Sequence, residues 1–159
     1  MTHQIDIKKD RLRYIKNSAS SMQAYTAILF NVLYFVSIYN KDVGNFYYTK
    51  TIGFSVICNL LFLLSAFLCS EGVKNYKLGY SLAFIPLGVF QLVRIFGIPL
   101  NAYNSVVAIN GSLQRVMQPK QLIWACICLI ASAAACFAAA IGGVRKTKML
   151  RDYEASLSK

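Results

Sequence analysis

The chain has 159 residues, of which 57% are hydrophobic and 14% are charged, and its mean hydropathy is +0.48. Soluble globular proteins carry about 25% charged residues, so the composition excludes an ordinary water-soluble domain. The formal net charge is +11, but no segment predicts a globular nucleic-acid-binding domain. We therefore expect no nucleic-acid partner and interpret the basic residues as topology signals and as contacts to anionic lipid head groups.

Four apolar runs have the length that crosses about 30 Å of hydrocarbon as a helix. They are residues 22–39, 52–69, 78–100 and 122–144. Helices are expected rather than barrel strands, because the runs are long, show no alternation and must satisfy their own backbone hydrogen bonds in lipid. The sequence predicts an all-α polytopic membrane protein: an antiparallel four-helix transmembrane domain over residues 22–144, between basic tails at residues 1–21 and 145–159.

The positions of Lys and Arg predict the orientation of these spans. Twelve of these residues lie in the two tails and the connection 70–77, whereas four lie in the connections 40–51 and 101–121. Cytoplasmic segments carry the excess of Lys and Arg, and an even number of spans places both termini on one side. We therefore expect a multi-pass protein of the plasma (inner) membrane with both termini in the cytoplasm.

The connection 101–121 contains two competing patterns. An apolar stripe at helical spacing favours an interfacial amphipathic helix; it consists of Val106, Ile109, Leu113 and Val116. Asn110-Gly111 is instead a strong turn signal. We interpret Asn110-Gly111-Ser112 as a turn rather than as a glycosylation site.

Four polar side chains lie inside three of the predicted spans: Asn31, Asn59, Gln91 and Arg94. With a rise of about 1.5 Å per residue, they share the middle-to-outer half of the bilayer. Gln91 and Arg94 are three residues apart and therefore lie on one helix face. We predict that this set forms a polar layer or contacts a partner.

Arg94 is the most costly residue of the chain, because a charged group inside a span costs about 2.5–3.5 kcal/mol or more. No Asp or Glu lies inside any predicted span. One interpretation is that Arg94 extends to the outer head groups, while the amides join helices through hydrogen bonds of about 0.6 kcal/mol each. The other is that Arg94 meets an acidic or carbonyl group of a partner subunit, or an anionic ligand.

The fourth span repeats a small residue at every fourth position. These residues are Ala131, Ala135, Ala139 and Gly143. Small residues at this spacing let another helix approach closely. We expect the first or third span of the same chain to be that helix, and a helix of another protein is the alternative.

The residue patterns of enzymes are not found in this sequence. The single histidine is His3, and the five cysteines form neither a Cys-x-x-Cys pair nor a zinc-ligand spacing. There is no Gly-rich phosphate loop and no intramembrane acid of the kind that proton-coupled antiporters use. We expect no catalytic residue, no metal and no cofactor.

The chain contains the segments RLRYIKN, AILFNVLYFVSIY and EGVKNYKLGYS. These resemble small uncharacterised four-helix membrane proteins of bacteria over most of the chain, and the resemblance implies no activity. We expect a non-enzymatic accessory or scaffold subunit of a larger membrane complex, such as a transporter, that contacts another membrane protein or a second copy. The alternatives are an oligomeric carrier or channel that uses the polar layer, and a lipid-linked enzyme or its chaperone, suggested by the outer tyrosines together with Arg115 and Lys120.

Overall fold

A computed structural model describes residue 7 and residues 10–38, 46–109 and 112–157. Residues 10–14 are helical, and the longer elements are α1 (Ser18–Ile38), α2 (Phe46–Lys74), α3 (Leu78–Gly97), α4 (Pro99–Asn104), β1 (Val106–Ile109), β2 (Ser112–Arg115) and α5 (Pro119–Leu157). Four helical segments are long and apolar enough to cross a membrane: Ser18–Ile38, Gly53–Lys74, Leu78–Asn104 and Pro119–Leu157. This confirms the prediction of a helical, multi-pass membrane protein with four spans.

The first helix begins after a buried asparagine. The side-chain oxygen of Asn17 accepts the backbone N–H of Ser20 at 3.4 Å, which satisfies one of the amide groups that a helix leaves open in its first turn. The same oxygen accepts a bond from Lys146 Nζ at 3.0 Å, and the backbone N–H of Asn17 donates to the carbonyl of Lys74 at 3.0 Å. The start of α1 is thereby attached to both α2 and α5.

A three-residue connection, 75–77, joins α2 to α3. Tyr76 has a φ of 57°, the left-handed conformation in which many helices end. The backbone N–H of Lys77 donates to the carbonyl of Gly72, and that of Tyr76 donates to Val73, both at 3.1 Å; this is the bond pair of a Schellman motif. The Tyr76 hydroxyl donates to the carbonyl of Ile15 at 2.8 Å, and burial raises the pKa of Tyr76 above its ordinary value.

Gly72 should not tolerate alanine, because a Cβ at this position would overlap the Tyr80 side chain of α3. Since such overpacking costs about 1–3 kcal/mol, Gly72→Ala should lower the free energy of unfolding by about that amount, measured by thermal denaturation in detergent. Gly79→Ala is the matched control, because a Cβ there meets nothing within 4 Å. Equal stabilities of the two variants would contradict the close approach of α2 and α3.

The third span consists of two helices in succession. Pro99 has no backbone N–H and favours the first turn of a helix, so α3 ends at Gly97 and α4 begins at Pro99. The backbone N–H of Ile98 still donates to the carbonyl of Arg94 at 3.1 Å. Helical structure therefore continues to Asn104, four residues beyond the predicted end of the span.

The connection that follows is a β-hairpin, so the expected interfacial amphipathic helix is wrong. Val106 pairs with Arg115, and Ile109 pairs with Ser112. The β-branched residues of β1 favour extended backbone, and Asn-Gly is the preferred two-residue hairpin connection. Asn110 and Gly111 themselves lie outside the described residues.

The last helix is much longer than the bilayer. Its 39 residues extend over about 58 Å, at about 1.5 Å per residue, whereas about 20 residues cross the hydrocarbon. The segment after residue 144 contains no proline and is rich in strong helix formers such as Lys, Met, Leu and Ala. Residues 145–157, which belong to the predicted basic tail, therefore continue α5.

The buried core of the described residues contains two apolar clusters. One comprises Ala24, Ala27, Phe62, Ala66, Cys69, Val73, Phe84, Cys136, Ala139 and Ala140, and the other comprises Tyr34, Ile38, Ile98, Ala102, Met117, Ala125, Cys128 and Leu129. The first, third and fourth spans each pass from one cluster to the other through one or more buried polar residues. α5 packs most extensively, against α1 and α3, whereas α2 packs against α1 and α3 less extensively.

Candidate functional site

The polar side chains between the two clusters form one connected group. Each of the four long helices contributes, and we call the set the polar layer: Asn31 (α1), Ser55 and Asn59 (α2), Gln91 and Arg94 (α3) and Ser132 (α5). Every member is at least 97% buried. The four residues singled out in the sequence are thus brought together, and Ser55 and Ser132 join them.

Arg94 lies at the centre of this layer. Its Nη1 donates to Asn31 Oδ1 at 2.9 Å and to Gln91 Oε1 at 2.8 Å. Its Nη2 donates to Asn59 Oδ1 at 2.8 Å. These distances are those of charge-assisted hydrogen bonds. The planar guanidinium of α3 therefore connects α1 and α2.

The amide of Gln91 extends the network to α5. Its Nε2 donates to Asn31 Oδ1 and to Ser132 Oγ, both at 3.0 Å. The Ser132 hydroxyl in turn donates to the backbone carbonyl of Ala27 at 2.8 Å. On the other side, Asn59 Nδ2 donates weakly to Ser55 Oγ at 3.5 Å. A continuous chain of bonds therefore crosses the bundle from α2 to α5.

Aromatic rings surround the charge of Arg94. The guanidinium carbon lies 4.8 Å from the ring centroid of Tyr34 and 5.6 Å from that of Phe90, within the range of cation–π attraction. Amide oxygens and ring faces both present negative potential to the cation. Arg94 is 3% exposed, so the structure places its charge inside the bundle rather than at the outer head groups.

The chemistry of the polar layer is that of fixed donors and acceptors. A guanidinium can only donate, so it determines the orientation of the three amides, whose oxygens all face it. Asn31 Oδ1 accepts two bonds, whereas Asn31 Nδ2 is buried with no hydrogen-bond partner among the described residues. Hydroxyls, amides and a guanidinium do not titrate near neutral pH, so the layer is suited to joining helices rather than to transferring protons.

The α5 surface that packs against the bundle differs from the predicted stripe of small residues. Ala139 and Gly143 are buried, whereas Ala131 and Ala135 are half-buried. A helix turns about 100° per residue, so a repeat of four drifts about 40° at each step. The buried face follows alternating steps of four and three instead, through Ala125, Leu129, Ser132, Cys136, Ala139 and Gly143.

Glycines let α5 approach its neighbours closely. A Cβ at Gly142 would lie 2.8 Å from Ser20 Oγ of α1, and a Cβ at Gly143 would lie 3.0 Å from Ser81 Cβ of α3. In the other direction, a Cβ at Gly88 of α3 would lie 2.9 Å from the Phe137 ring. Along this face, α5 therefore packs against the first and third spans of the same chain.

Sequence reasoning missed Ser132, which binds both Gln91 and the backbone of α1. A signal for it existed, since Ser132 is a hydroxyl residue in the middle of an alanine-rich apolar run.

In the part of the chain that the structure describes, no group of three or more His, Cys, Asp or Glu side chains could hold a metal ion. Comparison of the chain with models of protein families, with curated proteins and with solved structures finds no match.

Proposed function

We propose that this chain is a non-enzymatic accessory or scaffold subunit of a larger membrane complex in the plasma (inner) membrane. The closure of the polar layer is the observation that carries the proposal. A carrier or channel must present polar groups to its solute, whereas Asn31, Asn59 and Gln91 are at least 99% buried and bond within the layer. The arrangement favours a function that depends on the outer surface of the bundle.

The surface of α2 is the best candidate for contact with a partner. Large apolar side chains recur on it at steps of three and four, and each is more than half exposed: Phe54, Ile57, Leu61, Leu64 and Leu68. Such spacing suits packing against another helix. α2 is also the long helix that packs least against the rest of the bundle. We propose that a transmembrane helix of another protein binds this stripe.

Co-purification in a mild detergent tests this role. The wild-type chain should retain a membrane-protein partner, and Leu61→Ala with Leu64→Ala should weaken that partner's binding about 30-fold, since two truncated anchors cost more than about 1 kcal/mol each. Ile127→Ala with Ile130→Ala is the matched control, because both residues of this pair are also more than half exposed, on α5. Recovery of the wild-type chain without a partner in several mild detergents would contradict the proposal.

Flux measurements separate this role from the carrier or channel alternative. Vesicles that contain only the purified chain should show no more ion or solute flux than empty vesicles, because the polar layer is closed within each bundle. Dependence of any flux on the protein concentration would reveal an oligomer. If the wild-type chain produces flux and Asn59→Leu abolishes it, the result would instead favour a carrier or channel in which the polar layer opens to the solute.

We also propose an antiparallel bundle with both termini in the cytoplasm. The excess of Lys and Arg in the tails and in the connection 70–77 supports this orientation. Reporter fusions after Lys159 should be active in the cytoplasm, and fusions after Arg115 should be active outside. A fusion after Lys159 that is active outside would contradict the orientation.

A further inference from the structure

A groove with a volume of about 470 Å³ lies between the end of α1 and the start of α5. Its lining has two chemically different parts. The apolar part comprises Leu33, Val36 and Trp124, and the polar part comprises Ser37, Gln118, Lys120 and Gln121. The side chain of Gln121 donates to the backbone carbonyl of Ser37 at 2.7 Å, which holds the two helices together beside the groove.

We propose that this groove binds one anionic phospholipid, from the membrane leaflet that surrounds the end of α1 and the start of α5. The acyl chain lies along Leu33, Val36 and Trp124, and the phosphate lies beside Lys120. Tryptophan is typical of the level at which the hydrocarbon meets the head groups, and a lysine there attracts anionic lipid. The first turn of α5 carries no acidic residue that would compete for this cation.

The two-part lining favours a lipid over the other occupants. A soluble anion would bind Lys120 but would make no contact with the apolar wall. A partner helix would cover the wall, but it would have to bring a carboxylate to the same depth as Lys120. A phospholipid carries both chemistries in one molecule.

The chain contains a single tryptophan, and Trp124 lines the groove, so its fluorescence reports on the occupant directly. The purified full-length protein is placed in vesicles of fixed phosphatidylglycerol and phosphatidylcholine content. Bromine, which quenches indole fluorescence, is carried on the acyl chains of one lipid or of the other. We expect Trp124 quenching to show phosphatidylglycerol enriched about fivefold in the groove relative to its fraction in the vesicle. This enrichment corresponds to about 1 kcal/mol, the attraction of one cation near the surface for anionic lipid.

Variants make the assignment specific. Lys120→Gln should abolish the preference for the anionic lipid, whereas Arg145→Gln, an exposed cation beyond the other end of the bundle, should leave it unchanged. A chain with Trp124→Phe and Ile130→Trp places the indole at an exposed position farther along α5 and should show no preference. Circular dichroism verifies that each variant keeps its helical content.

Three results would overturn the proposal. The first is equal quenching of the wild-type chain by the two brominated lipids. The second is a preference that persists in Lys120→Gln, which would place the anionic lipid elsewhere. The third is relief of the preference by soluble glycerol phosphate, which would make the ligand a free anion rather than a lipid.

Discussion

Replacement of Arg94 by leucine should lower the free energy of unfolding by about 2–5 kcal/mol. Arg94 donates three hydrogen bonds to buried amide oxygens, and bonds to a charged group contribute about 1.5–3 kcal/mol each. Leucine recovers the cost of placing a charge in the membrane, about 2.5–3.5 kcal/mol. The loss is larger than this recovery, because leucine leaves three acceptors facing an apolar side chain.

The measurement is denaturation of the purified protein in mixed micelles, followed by circular dichroism. Arg115→Leu is the matched control, since Arg115 lies exposed in β2 with its guanidinium over the Tyr103 ring at 4.7 Å; loss of this exposed cation–π contact should change the stability by no more than about 1 kcal/mol. Arg94→Lys should be intermediate, because an ammonium keeps the charge but lacks the planar fork that reaches α1 and α2 together. If Arg94→Leu is as stable as the wild type, the polar layer does not hold the bundle together.

Replacement of Ala139 by leucine should be more disruptive than the same change at the neighbouring Ala134 or Ala135 of α5. Ala139 is fully buried, in the apolar cluster that α1 and α3 share with α5, so the larger side chain must force helices apart. Overpacking of this kind costs about 1–3 kcal/mol and occasionally more. The same denaturation experiment measures the loss.

Two neighbouring alanines provide graded controls for this change. Ala134 is exposed and Ala135 is half-buried, so Ala134→Leu should be close to neutral and Ala135→Leu should be intermediate. The order of the three stabilities distinguishes the observed packing face from the repeat of four in the sequence. A loss at Ala135 as large as that at Ala139, or larger, would contradict the observed face, because the repeat of four contains both residues.

The polar layer explains how the bundle obtains a specific register. In lipid, apolar packing alone favours helix association weakly, because hydrocarbon chains are as apolar as leucine. A guanidinium that must reach Asn31 and Asn59 at once allows little sliding of α3 along α1 or α2. The separate bond from Ser132 to the Ala27 carbonyl fixes α5 against α1 at the same depth.

The number of spans, their approximate limits and the common level of the four polar residues along the bundle could all be predicted from the sequence. These are local properties, since an apolar run has to match the thickness of the hydrocarbon, and a residue's distance from the end of its run determines its depth. The observed limits differ from the predicted ones where the sequence changes gradually. α5, for example, continues beyond residue 144 because no helix-breaking residue follows.

The tertiary structure decided which way the polar side chains point and what they bind. A periodic pattern places Gln91 and Arg94 on one face, but it does not say whether Arg94 reaches the head groups or three amide oxygens on neighbouring helices. Ser132 and the buried face of α5 depend in the same way on which helices are adjacent. Hydropathy is a property of single segments, whereas these contacts join residues far apart in the chain, such as Ala27 and Ser132 at a separation of 105 positions, so they exist only once the helices have packed.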